Sequence, residues 1–305
     1  MRRAAALAAA FSLGCAHPHA SSDPARSYGR FDPAVDYLGS QVDSAFPGAV
    51  LAVGRHDTIL LLTAVGHYAV GDNRPVTPQT IYDLASLTKV IGLTTAVMML
   101  VDSAKIELDA PVQKYVPAFR GAGKERVTIR HLLTHSSGMP AWRPLFAESS
   151  SREGAMALVD TTALLRQPGD TFVYSDLGAI ALTQVVEAVT AQRIDAFLDA
   201  RLFGPLGMTS TRYLPPVSWR DRIAPTENDT AFRHRMLHGE VHDENSGRLG
   251  GVSGHAGLFS NAPDLARFAQ WLLDSRIPPG RPAGTGAFLP HDLVVEFTRR
   301  QGIPA

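Results

Sequence analysis

Ile81-Tyr82-Asp83-Leu84-Ala85-Ser86-Leu87-Thr88-Lys89 is the stretch on which the reading of this chain turns. The run after it, Val90 to Val101, is apolar but contains Thr94 and Thr95, and is too short to span a bilayer. Ile81 to Val101 therefore reads mainly as one buried helix. Ser86 and Lys89, three apart on a helix, share a face one turn apart. A serine hydroxyl is a poor nucleophile until a base removes its proton. An amine one turn away can do so where burial and a helix N-terminus favour its neutral form. That same N-terminus points backbone N–H groups at an oxyanion forming near Ser86. A surface Ser and Lys on an ordinary helix is the plain alternative. Against it, Lys89 is the only charged residue between Asp83 and Asp102, in a chain with four lysines and 25 arginines. A lone lysine on a buried helix needs a reason to be there.

Tyr174-Ser175-Asp176 is the second signal. It follows the turn Pro168-Gly169-Asp170, ends a short extended piece from Phe172, and precedes a helix over Leu177 to Thr190. A tyrosine at such a turn can present its phenol to a cleft and relay a proton between Ser86 and a leaving group. The alternative is a half-buried tyrosine at a helix start, with Asp176 as the cap.

These two motifs resemble those of the serine β-lactamase and penicillin-binding-protein superfamily, in its class C branch, where the second motif is usually Tyr-x-Asn. Their spacing of 88 residues also suits that branch. Further matches are Phe46-Pro47-Gly48-Ala49-Val50, Leu132 to Pro140, Pro205-Leu206-Gly207-Met208 and Gly254-His255-Ala256-Gly257-Leu258-Phe259-Ser260. Thr226 to Gly257 looks most like the exported serine hydrolases related to penicillin-binding protein 4B. The resemblance covers about residues 30 to 300. It implies an α+β fold of the β-lactamase/transpeptidase type: an antiparallel sheet with flanking helices, packed on an all-helical domain, with the site between them. Residues 31–82 and 245–305 would form the sheet part and 83–244 the helical domain. It implies an acyl-enzyme on Ser86, Lys89 and Tyr174 sharing the base and acid roles, and no cofactor. Asp176 departs from the usual Asn. A carboxylate there can accept a bond from Lys89 but can donate none to a substrate carbonyl, which favours an esterase or peptidase over a class C lactamase.

The superfamily carries a third motif, Lys-Thr-Gly or His-Thr-Gly, on a strand beside the nucleophile. His255-Ala256-Gly257 matches it in letters, yet Leu258-Phe259-Ser260 leads at once into a helix from Ala262. Two readings stay open. In one, the chain is truncated at the C-terminus and lacks the third motif and the central strands, which implies an exposed hairpin edge, a marginal fold and weak activity. In the other, His255 serves as the third motif in a shortened fold. The expected substrate contacts are Asp176, His255 and Gly257.

The rest of the chain is consistent with export. Met1-Arg2-Arg3, the apolar Ala4 to Leu13 and Gly14-Cys15-Ala16 read as a signal over residues 1–16, followed by a leader over 17–30. Cys15 behind Leu13-Gly14 also resembles a lipoprotein cleavage site, the only route to a membrane anchor; otherwise Cys15 is discarded with the signal. The expected location is periplasmic or outer-envelope. Apolar residues make up 45% of the chain, ample for a core. Basic and acidic residues are equal at 29 each, without the basic excess of a nucleic-acid binder. The expected partner is a small-molecule or peptidoglycan-peptide substrate. A single cysteine excludes an internal disulfide and cysteine-ligated zinc. His234, His238 and His242, four apart beside Asp243 and Glu244, suggest a metal, but Gly239 interrupts their helix and they span too far for one ion. His135 and Ser136 suggest a triad with Ser86; a helix end stopped by Gly138 is the simpler reading. A binding module for wall peptides or penicillin, without catalysis, is the remaining rival.

Other expected elements are a helix over 33–45, a hairpin of Ala49–Val53 with Ile59–Val65, and a loop over Gly66–Thr80. Helices follow over Ile129–Thr134 (capped by Thr128), Arg152–Leu165, Ile194–Leu202 and Ala262–Leu273. Residues 211–250 read as irregular, 276–290 as a loop, and Leu293–Thr298 as a final helical turn.

Overall fold

The computed structural model describes residues 28–275 and 289–303. The signal segment, Cys15 and most of the expected leader and 276–290 loop lie outside the described residues.

The first helix, α1 (Asp32–Ser40), stops before its apolar stripe does. Asp43 takes a φ of +64°, and a Val42–Phe46 bridge turns the chain into β1 (Gly48–Arg55). A two-residue turn at His56-Asp57 leads into β2 (Thr58–Ala69), with Val50 opposite Ala64 in antiparallel register. The expected loop after Val65 is instead strand. β2 runs on through Gly66 to Ala69 and returns as β3 (Asp72–Pro75), giving the order β1-β2-β3. Gly66 permits the passage: its φ is +77°, and a Cβ there would lie 2.2 Å from the Pro47 carbonyl oxygen. β3 escaped the apolar pattern because it is a polar, largely exposed edge, held by a forked Arg74–Asp72 pair.

The deciding stretch also begins as strand, not helix. β4 (Tyr82–Asp83) is followed by a sharp turn with Ala85 at φ +44°. The helix starts only beyond Ser86, and its Lys89–Thr94 portion is π-helical before it continues as α2 (Thr95–Asp102). Such wide turns recur at functional sites.

The middle of the chain is helical. Thr128 caps α3 (Ile129–Leu133) in a reciprocal box with His131. Next come α4 (Leu145–Glu148) and α5 (Arg152–Thr161). The long α6 (Asp176–Thr190) is capped by the Ser175 side chain, which accepts from Gly178 N–H; Asp176 is its first residue and not its cap. After it, α7 (Ile194–Leu198) passes into a π-helical turn over Asp199–Phe203. Within the stretch expected to be irregular lie β5 (Arg212–Tyr213), the small hairpin β6 (Asn228–Asp229) and β7 (Arg235–Met236), and α8 (Glu244–Arg248). β8 (Leu258–Ser260), α9 (Ala262–Ser275) and α10 (His291–Thr298) complete the described chain.

A second sheet, ordered β4-β8-β5, joins distant parts of the sequence. Asp83 pairs with Phe259, and Phe259 with Arg212. One large apolar core runs from Leu84 to Val294, drawing on α2, α5, α6, α7, α9 and α10. Its burial orders the helices on which the site is mounted.

Candidate active site

The pairing of β4 with β8 sets two loops side by side. One is the turn from Asp83 into the Ser86 helix; the other is the Ser253–Gly257 loop that feeds β8. The Leu84 N–H donates to the Leu258 carbonyl (2.9 Å) and the Leu258 N–H to the Thr88 hydroxyl (3.1 Å), which fastens them together. Asp83 holds the turn from below. Its carboxylate accepts from the Ala85 N–H (2.8 Å) and the His242 N–H (2.6 Å), while burial pushes its pKa above the ordinary value.

Ser86 is exposed and Lys89 beneath it is buried. Lys89 Nζ lies 2.9 Å from Ser86 Oγ and donates to the His255 carbonyl at 2.9 Å. Asp176 Oδ1 lies 2.7 Å from Nζ; it makes no hydrogen bond, so this contact is an ion pair. The Tyr174 ring faces the same ammonium at 5.0 Å. Ser86, Lys89, Tyr174 and Asp176, singled out in two segments 88 residues apart, thus converge on one amine.

His135 supports the second segment. Its ring stacks obliquely on Tyr174, with centroids 4.5 Å apart, and Nδ1 accepts from the Ser175 N–H at 3.1 Å. Burial, then the nearby Lys89 charge, holds its pKa below the ordinary value, consistent with a neutral acceptor. Ser136 is wholly buried and bonds to Thr134 Oγ1, so the two residues form no triad with Ser86.

His255 and Gly257 depart from expectation. The His255 imidazole is 1% exposed and bonds to Asp243 Oδ1 (2.8 Å) through Nε2 and to Ser253 Oγ (2.7 Å) through Nδ1. It reaches the site by its backbone carbonyl, and its ring has no face left for substrate. Gly257 is buried too, at φ +119°, where a Cβ would lie 2.7 Å from the Gly251 carbonyl oxygen. A close backbone approach requires glycine there. Asp243, quoted in the sequence only as part of a resemblance and a metal pattern, emerges as a structural member of the site. Burial opposes its charge, but the His255 imidazole and the Ser246 N–H outweigh that and bring its pKa down to about 2.

The three spaced histidines are not on one helix. His234 sits in a turn at φ +54°, His238 Nε2 bonds to the Arg220 and Ile223 carbonyls (2.8 Å each), and His242 pairs with Glu227 at 3.1 Å. Among the described residues no cluster of His, Cys, Asp or Glu is arranged to hold a metal ion. Nor is any described helix long and apolar enough to cross a membrane.

Compared with known proteins, the chain matches the family described as Beta-lactamase over residues 31–294. The chain belongs to that family. A Salmonella typhi protein whose name proposes a D-alanyl-D-alanine carboxypeptidase is 31% identical over 298 residues, 87% of this chain and 68% of that protein. Among solved structures, the octameric penicillin-binding protein homologue from Pyrococcus abyssi superposes with a TM-score of 0.69 at 22% identity, over 87% of this chain and 59% of that one. A class C β-lactamase superposes at 0.68 with 21% identity, over 82% of this chain and 67% of its own. At these identities the superpositions establish the fold: β-lactamase-like, α+β, with antiparallel sheets and many helices. Family members include serine hydrolases of the carboxypeptidase and β-lactamase kinds.

Proposed function

We propose that this chain is an exported serine hydrolase that works through an acyl-enzyme on Ser86. The observation that carries the reading is the 2.9 Å contact between an exposed serine hydroxyl and a buried lysine amine at a helix start. As Oγ attacks the acyl carbon its proton passes to Lys89 in its neutral amine form, or to Tyr174 as the phenolate, and from there to the leaving group. Water then releases the acyl group by the same proton route in reverse. Asp176 holds Lys89 through its charge and offers substrate no donor. That argues for an ester or a D-amino-acid peptide ahead of a β-lactam. The carboxypeptidase name of the Salmonella relative supports the peptide class, and a peptidoglycan stem peptide is the natural form of such a substrate.

The test is covalent. The purified chain is treated with a fluorophosphonate and, separately, with penicillin, and intact mass is read for wild type and Ser86→Ala. One adduct per chain, lost in the variant, is the expected result. A folded wild type that takes no adduct from either reagent would sink the hydrolase reading in favour of a catalytically impaired relative or a wall-peptide binding module.

A further inference from the structure

Behind Lys89 lies a second layer of polar groups that the proposed chemistry does not use. Asp243 caps α8, Oδ1 accepting from the Ser246 N–H at 2.6 Å. The same oxygen takes His255 Nε2 at 2.8 Å, and Ser253 Oγ holds the other ring nitrogen. Ser246 Oγ donates to the Ala256 carbonyl at 2.8 Å. The start of α8 therefore grips the Ser253–Gly257 loop at residue 255, through its ring, and at residue 256, through its carbonyl; the carbonyl of residue 255 accepts from Lys89 Nζ. α8 also holds the segment that leads into α4: Asn245 receives the Phe146 N–H and donates to the Arg143 carbonyl.

We propose that Asp243 and His255 are a positioning pair for Lys89, resting on the serine hydrolase reading above. The carboxylate fixes the imidazole, the imidazole fixes the peptide of residue 255, and that carbonyl aims Nζ at Ser86. A His–Asp pair with a buried imidazole and a half-buried carboxylate is costly to desolvate, and here it orients a functional group. The charged and titratable groups facing Lys89 are Tyr174 and Asp176 at the start of α6, His135 after α3 and Asp243 before α8; those facing Asp243 are His255, Lys89 and Asp83.

Four lysines make the test direct. With 13Cε-labelled lysine, the Lys89 signal is assigned by its loss in Lys89→Arg. Asp243→Asn keeps the cap and an acceptor oxygen but removes the charge; His255→Gln removes the ring. In both, the Lys89 signal is expected to move while those of the exposed Lys105 and Lys114 stay. The rate of fluorophosphonate labelling at Ser86 should fall about tenfold or more, as for a displaced catalytic group, and its pH profile should change shape. Ser253→Ala, which removes only the Nδ1 partner, serves if His255→Gln does not fold. Folded variants with an unmoved Lys89 signal overturn the proposal, whatever their labelling rate. A moved signal in a chain whose wild type never labels keeps the positioning pair and overturns the hydrolase reading instead.

Discussion

In the β4-β8-β5 sheet, Leu258, Phe259 and Ser260 are all enclosed, at no more than 1% exposure. In the β1-β2-β3 sheet no residue of β1 is buried, although Ala49 to Val53 are all apolar, and Ile59 and Leu60 of β2 are open to solvent. The cause is position. β8 is a central strand with partners on both edges and the helical core around it; among the described residues β1 pairs with β2 alone. The candidate catalytic groups are mounted on the first of these regions and on the helical body, none on the hairpin. Ser86 and Lys89 follow β4, the His255 carbonyl precedes β8, and Asp176 opens α6. Site geometry and hairpin stability should then be separable properties, and perturbing the two regions should give different answers.

The largest effect is expected in the helical body. Ile180 lies in the middle of α6 with no exposure. Ile180→Ala deletes buried methyl and methylene groups where α6 has little freedom to collapse, so it should cost about 2–5 kcal/mol in urea denaturation. A loss below about 1 kcal/mol would show that the core is looser than its burial implies, and would erase the contrast with the hairpin.

That contrast also explains what could be read without a structure. Ser86, Lys89, Tyr174 and Asp176 stood out because chemistry demands particular side chains at short spacings, and short spacings survive in the sequence. The hairpin and the helices α3, α6 and α9 announced themselves by apolar period and caps. The β4 strand did not, because two residues paired across 176 positions carry no local pattern. The surroundings of His255 and Gly257 were not legible for a related reason: their letters resemble a substrate-facing motif, while their burial depends on α8 and on the Gly251 carbonyl, both set by tertiary contacts. Asp243 was visible only as one acid among several until α8 placed it.

A pH-dependent test sharpens the comparison from the buried side. Lys124 is 1% exposed, donates to the Asp160 carbonyl at the end of α5 (2.6 Å) and lies 4.2 Å from the Phe119 ring centroid. Burial lowers its pKa from 10.5 to about 8. Below pH 8 both folded and unfolded chains hold the proton, and the burial penalty is fully present. Between pH 8 and 10.5 the folded chain releases it while the unfolded chain keeps it, so this group makes stability rise with pH. In Lys124→Met that contribution is absent. The Tm difference between variant and wild type, measured from pH 7 to 10, should narrow in the wild type's favour as pH rises; parallel curves would mean that Lys124 stays solvated.

The smallest effect belongs to the hairpin. Val50 lies in β1, half-buried, opposite Ala64. Truncation to Ala removes two methyl groups that are only partly withdrawn from water, which limits the cost to about 1 kcal/mol or less at ~0.8 kcal/mol per fully buried methylene. None of the hydrogen bonds, ion pairs or ring contacts around Lys89 involves Val50, so fluorophosphonate labelling of Ser86 in the folded variant should proceed at the wild-type rate. A slower rate at unchanged stability would show that β1 communicates with Ser86 through contacts other than the β4–β8 pairing. The separation of the two sheets would then be a matter of burial alone, not of function.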